Sequence, residues 1–346
     1  MAMLEGKPVD CVPVVPQTFL FSVETAGYRI GDLVQDARKM ARSLQVTQEK
    51  YGYDGCVIDF DDATLAEACG AHVIFSNPEE PALVDENNPL VKDLREIPDL
   101  KLPDPNRDGR LPVWLEATRE LVDLVGDHVF VMGRADQGPF DLMCLLRGTQ
   151  NVMMELITED AQVIWNALDW CREANLAFAK AQKDAGAHAT SIGDSYAGPN
   201  LISPDMYRQF AWEHEVTLAR QVQEYGIPWS LHICGDTTHI AADMGRTGAK
   251  ILEIDWKVDM AVARQAIPDQ TVLMGNIDPS HPLVYGTPEE VHAQVREIIQ
   301  GTRGVGLFVS SGCAMGRNTK PENMAAMVAA TREYGSYERL MELQER

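Results

Sequence analysis

Eight short apolar runs recur along the chain, with helix-patterned stretches between them. This alternation limits the fold more than any other feature. The runs are Cys11–Pro16, Gly55–Asp59, Val129–Gly133, His188–Gly193, Ile227–Gly235, Lys250–Asp255, Thr271–Gly275 and Leu307–Ser311. Helical spacing is expected over Asp32–Tyr51, Ala63–Cys69, Trp114–Val125, 140–157, 159–185, Thr237–Gly245, Met260–Ala266 and from Pro321 onward. Ser203-Pro204 opens a further helix as N-cap and first residue. Thr287-Pro-Glu-Glu290 is a capping box that opens another. Strands that alternate with helices form a parallel sheet, and eight such units close into a (β/α)8 barrel. One excursion is expected after the second strand. His72–Phe75 and Ala82–Val84 read as a β-hairpin, and residues 86–112 as an irregular insertion. The chain has 346 residues, 45% of them hydrophobic. That supplies one large core, so residues 1–346 are read as a single α/β barrel domain.

Charge narrows the partners. Thirty basic against 52 acidic residues leave a net charge of −22. A broad basic face for nucleic acid or an anionic membrane is therefore not expected. No apolar run is long enough to span a bilayer, and the first residues lack a signal-peptide core. Seven scattered cysteines fit a reducing compartment, so a cytoplasmic protein is expected. Cys11, Cys56, Cys69, Cys144 and Cys171 sit among apolar residues and read as small hydrophobes.

The run Ile227-Pro-Trp-Ser-Leu-His-Ile-Cys-Gly235 carries the chemistry. Residues two apart on a strand share a face. His232 and Cys234 thus point one way, opposite Trp229, Leu231 and Ile233. An imidazole and a thiol at a strand end are two zinc ligands. Alone this is weak, because a Cys beside a His is usually ordinary packing. Cys313 ends another strand-like run, and barrel active sites gather at the C-terminal ends of strands. Three ligands leave a position open, which is the catalytic rather than the structural arrangement. Zinc with two thiolates and a neutral imidazole carries no net charge. Such a centre suits holding a substrate thiol as a nucleophilic thiolate.

The motifs His232-Ile-Cys-Gly235, Gly275-Asn-Ile-Asp-Pro279 and the Cys313 loop resemble the uroporphyrinogen decarboxylase superfamily. Within it they are similar to the corrinoid-dependent methyltransferase branch. Gln137-Gly-Pro-Phe140 and Asp194 through Tyr207 share the likeness. The resemblance implies a (β/α)8 barrel with zinc on His232, Cys234 and Cys313. It also implies an exchangeable acidic fourth ligand, Asp255 here. The implied activity moves a methyl group between a corrinoid, on a partner corrinoid protein, and a small thiol acceptor or methyl donor. The chain has no Asp-x-His-x-x-Gly motif, so cobalamin must arrive on that partner. A tetrapyrrole decarboxylase is the runner-up. Pro16–Thr25 contains no Arg, however, and a polycarboxylate substrate needs several. A zinc-stabilised scaffold that only docks a corrinoid protein is the non-enzymatic alternative.

Other polar residues fall at strand ends. Asp194 and Tyr196 either position substrate or, for Asp194, cap a helix. Asn276 and Asp278 either orient a zinc ligand or form a plain turn. Asp136 joins this group. His239 reads as surface or supporting, and His214 as structural.

Overall fold

A computed structural model describes residues 1–344. Seven strands make one parallel sheet and neighbour one another in chain order. Their ranges are β1 Gly55–Ile58, β4 Phe130–Gln137, β5 Ala189–Gly193, β6 Trp229–Ile233, β7 Ile251–Ile254, β8 Val272–Ile277 and β9 Leu307–Ser311. The sheet curves into a half-barrel with helices packed outside. The hairpin, β2 Val73–Ile74 and β3 Leu83–Val84, lies where it is expected. No helix among the described residues is long and apolar enough to cross a membrane.

The expected first strand is reduced to bridges. Val14 bridges Val309 in parallel, and Cys11 bridges Ser336. Val309 N–H donates to Pro13 O, and Val15 N–H donates to Val309 O. On the other side Asp54 N–H donates to Val14 O, and Val14 N–H donates to Asp54 Oδ2 at 2.7 Å. Pro13 and Pro16 have no N–H, so a continuous ladder cannot form here.

Several helix expectations need correction at their ends. Asp32–Tyr51 splits into Ile30–Leu33 and Ala37–Tyr51, because Asp36 caps the second helix by accepting the N–H groups of Arg38 and Lys39. The stretch 140–157 breaks at Gly148, whose φ of 90° lies outside the helical range. The helix after β6 starts only at Ala241. The C-terminal helix breaks after Tyr334 and resumes at Tyr337. The Thr287 capping box forms as expected.

Side chains alternate in and out along each strand. Outward residues join the helices in the main core. Inward residues near the strand starts form a second cluster that includes Val57, Phe130, Met132, Ile251, Val272, Met274 and Phe308. Phe130 and Phe308 meet with ring centroids 5.8 Å apart. Other inward positions are polar: Arg134 on β4, Ser230 and His232 on β6, Glu253 on β7 and Asn276 on β8. All are buried.

Candidate metal centre

His232 and Cys234 extend from the end of β6, and Cys313 follows β9. One ligand atom from each lies within 4.8 Å of the other two. His232 Nε2 is 3.1 Å from Cys234 Sγ, and the two Sγ atoms are 3.8 Å apart. A tetrahedral zinc with bonds near 2.0 and 2.3 Å would separate its ligand atoms by roughly 3.5–3.8 Å. The donor set and its spacing therefore fit such an ion. His232 Nδ1 lies 3.0 Å from the Glu253 carbonyl oxygen. Donation to that carbonyl puts the proton on Nδ1 and leaves the Nε2 lone pair free to ligate. Adjacent strands supply this contact, since His232 and Glu253 are register partners on β6 and β7.

The same proximity perturbs the protonation of all three. Burial opposes charge on His232, but the adjoining Cys234 holds it up to about 9. A hydrogen bond from the Cys313 thiol, with His232 helping against burial, lowers Cys234 to about 3. Cys313, facing a thiolate, is pushed strongly up.

The three residues open onto a cleft of about 220 Å³. Arg134 forms its floor, with Nε 2.6 Å from Asp59 Oδ2 and Nη2 donating to Glu253 Oε2 at 3.0 Å. Ser230 Oγ donates to Glu253 Oε1 at 2.8 Å. Burial raises the Asp59 carboxyl well above its usual range, and Arg134 opposes the rise. Asp62 is exposed to the cleft and accepts from Gln137 Nε2 at 2.6 Å.

The remaining expected residues separate by role. Asp194 caps a helix: its carboxylate accepts the N–H groups of Asp141 at 2.8 Å and Phe140 at 3.4 Å, at the start of Pro139–Arg147. Asp141 returns the contact, accepting from Ser195 N at 3.0 Å and Tyr196 N at 2.7 Å. Gly138 is needed here, since a Cβ would sit 2.5 Å from Asp194 Cγ. Burial raises both carboxyls, Asp194 to about 6. Tyr196 lines the cleft. Burial lifts its phenol to about 12, so it stays a neutral donor.

Asp255 is buried, but both of its oxygens accept backbone N–H groups, Oδ2 from Gly235 and Oδ1 from Lys257, each at 2.8 Å. It stands outside the group of three and pins the loop after Cys234. Asn276 Nδ2 donates to the carbonyls of Asp255 and Val258. Asp278 caps a turn through the N–H groups of Ser280 and His281. Asp136 accepts from Leu65 N–H. His239 is exposed, and His214 is buried beside Asp169. Asp59, Asp62, Gln17 and the Glu253 carbonyl join the site without being expected from the sequence. Asp59 alone left a signal, as the charged end of an apolar run.

The chain belongs to the uroporphyrinogen decarboxylase (URO-D) family, whose model matches residues 1–334. A methylcobamide:CoM methyltransferase from Methanosarcina barkeri is 30% identical over 339 residues, covering 96% of each chain. One from Methanosarcina mazei is 29% identical over 335 residues, again covering 96% of each. The solved structure of a methyltransferase from Methanosarcina mazei superposes with a TM-score of 0.88 at 28% identity, over 96% of this chain and 97% of that one.

Proposed function

We propose that this protein is a zinc-dependent methyltransferase. It moves a methyl group between a corrinoid carried by a partner protein and a small thiol acceptor or methyl donor. The observation that carries the reading is the convergence of His232 Nε2, Cys234 Sγ and Cys313 Sγ in a cleft, with Nδ1 tied to a carbonyl. His232, Cys234 and Cys313 would hold the ion. When bound, zinc supplies an open position that lowers a thiol's pKa or polarises a donor's leaving group.

The chain's own residues do the rest. The Glu253 carbonyl fixes the imidazole tautomer. Asp255 and Asn276 hold the loop after Cys234 through backbone contacts. The Asp141–Asp194 exchange sets Ser195 and Tyr196 along the cleft wall. Ser195 Oγ accepts Cys234 N–H at 3.3 Å, which anchors that ligand's backbone. In the thiol direction the sulfur loses its proton to solvent and bonds the methyl carbon. The carbon–cobalt pair then stays with the corrinoid as cobalt(I). In the other direction cobalt(I) takes the methyl carbon, and the leaving group departs with its electron pair and gains a proton. The relatives named methylcobamide:CoM methyltransferases support this chemistry.

We also read residues 1–346 as one barrel, with Pro13–Val15 as the eighth staff; its contacts to Val309 and Asp54 support this. The test is zinc analysis of the purified protein with spectroscopy of methylcobalamin and cobalt(I) bands against thiols and methyl donors. About one zinc per chain and a cobalt spectral change are expected. Porphyrinogen turnover that survives loss of both cysteines, with no cobalamin change, would overturn the reading.

A further inference from the structure

The cleft beside the metal ligands has two buried donors with nothing to donate to. Gln17 Nε2 and Arg134 Nη1 have no hydrogen-bond partner, and the residues are 1% and 4% exposed. Both residues line the cleft. They are neighbours, because Arg134 Nη2 reaches Gln17 Oε1 at 3.5 Å. Nη1 lies by Gly193, which is itself part of the cleft wall. A buried N–H without a partner is costly to leave unmet, so the pair points to an acceptor atom brought by a ligand.

The charge around the donors says what kind of acceptor. Arg134 is the one Lys or Arg among the cleft-lining residues. Its guanidinium already meets two carboxylates, Asp59 and Glu253. Asp62 adds a third that faces the cleft with only an amide as partner. Burial raises the Asp59 and Asp62 carboxyls while Arg134 opposes the rise, and Glu253 already pairs with the guanidinium. A sulfonate or carboxylate placed here would be a further anion without a cation of its own, partly stripped of water. A neutral oxygen accepts such N–H groups at no such cost.

We propose that the cleft binds a small substrate through an uncharged oxygen, a hydroxyl, ether or carbonyl, held by Gln17 and Arg134, and discriminates against anionic substrates. This names the substrate class of the site proposed above and rests on that reading. It would set this chain apart from the relatives named methylcobamide:CoM methyltransferases.

Three thiols of one skeleton test it: ethanethiol, 2-mercaptoethanol and 2-mercaptoethanesulfonate. Calorimetric binding to the zinc-loaded full chain needs no corrinoid, and methylcobalamin demethylation is followed in parallel. The expected result is that 2-mercaptoethanol binds at least tenfold tighter than either of the others. Gln17→Leu should erase its advantage over ethanethiol. Asp62→Asn, at an exposed position, should narrow the gap to the sulfonate by threefold or more. Equal or tighter binding of the sulfonate, or no binding of any thiol, overturns the inference. Demethylation that runs with the sulfonate preferred sinks this inference and leaves methyl transfer standing. The expected binding order without demethylation sinks the thiol-acceptor direction of methyl transfer and leaves the cleft's preference standing.

Discussion

At the start of the strands Phe130, Ile251, Val272 and Phe308 close on one another and make an apolar plug. A few residues further along the same strands the inward positions are Arg134, Glu253 and Asn276, and the metal candidates stand just above them. The two ends also differ in open space. The hollow at the strand-start end, bounded by Met3, Lys7, Lys250, Gly306, Tyr337 and Leu340, holds about 770 Å³. The cleft at the other end holds about 220 Å³. Size therefore does not mark the site. The larger hollow is lined largely by apolar residues such as Leu4, Val272, Val305 and Leu340. The smaller one gathers two thiols, an imidazole and two unmet donors, and each of these is costly to bury unless something binds there. The plug makes that polar layer tolerable, because its rigid packing holds the strands in the register that pairs His232 with Glu253.

The largest effect that would sharpen this contrast is at the thiols. Cys234→Ser or Cys313→Ser replaces a thiolate by an alcohol that stays protonated and ligates zinc poorly. Bound zinc and methyl exchange should both fall to background while the far-ultraviolet circular dichroism is unchanged. Retained zinc at one per chain in either variant would break the assignment.

A smaller effect separates the ends by pH. Burial raises Asp194 to about 6 from an ordinary carboxyl near 4. The folded state then holds this proton more tightly than the unfolded state. That contribution to stability is complete below pH 4 and is lost as pH rises through 6. The loss is on the order of 3 kcal/mol for a fully buried carboxyl with such a shift. Asp194→Asn keeps one acceptor for the Asp141 N–H and removes the titration. Urea unfolding of the variant should show a flatter pH dependence between 4 and 6 than the parent. An identical slope in both would remove Asp194 from the account.

What could be read beforehand follows the same division. Strands and helices were legible because hydrophobic periodicity is local, and so was the His-x-Cys pair, which shares a strand face by simple alternation. The partners that finish the site come from other strands. Arg134 is one charged residue among many until β1 and β7 bring Asp59 and Glu253 to it. Asp255 is a fourth ligand only by the family resemblance; its oxygens accept the N–H groups of Gly235 and Lys257. Local spacing does not reveal which backbone donors a loop will leave unmet. The first strand failed in part for a local reason, since Pro13 and Pro16 limit its ladder to bridges.

The smallest expected effect lies at the opposite end. Lys250 is exposed, borders the large hollow and precedes β7, the strand that carries Glu253 toward the metal candidates. Its side chain is separated from those residues by the apolar plug. Its backbone N–H, which donates to Trp229 O at 3.0 Å, is kept in any substitution other than proline. Lys250→Met therefore removes a surface charge while preserving the strand. Exposed changes of this kind alter stability by about 0.5 kcal/mol or less. Methyl exchange should stay within twofold of the parent, and zinc content should be equal. A tenfold fall in exchange at unchanged stability and zinc would mean that the large hollow takes part in the reaction. The plug would then be a channel of influence between the ends rather than a partition.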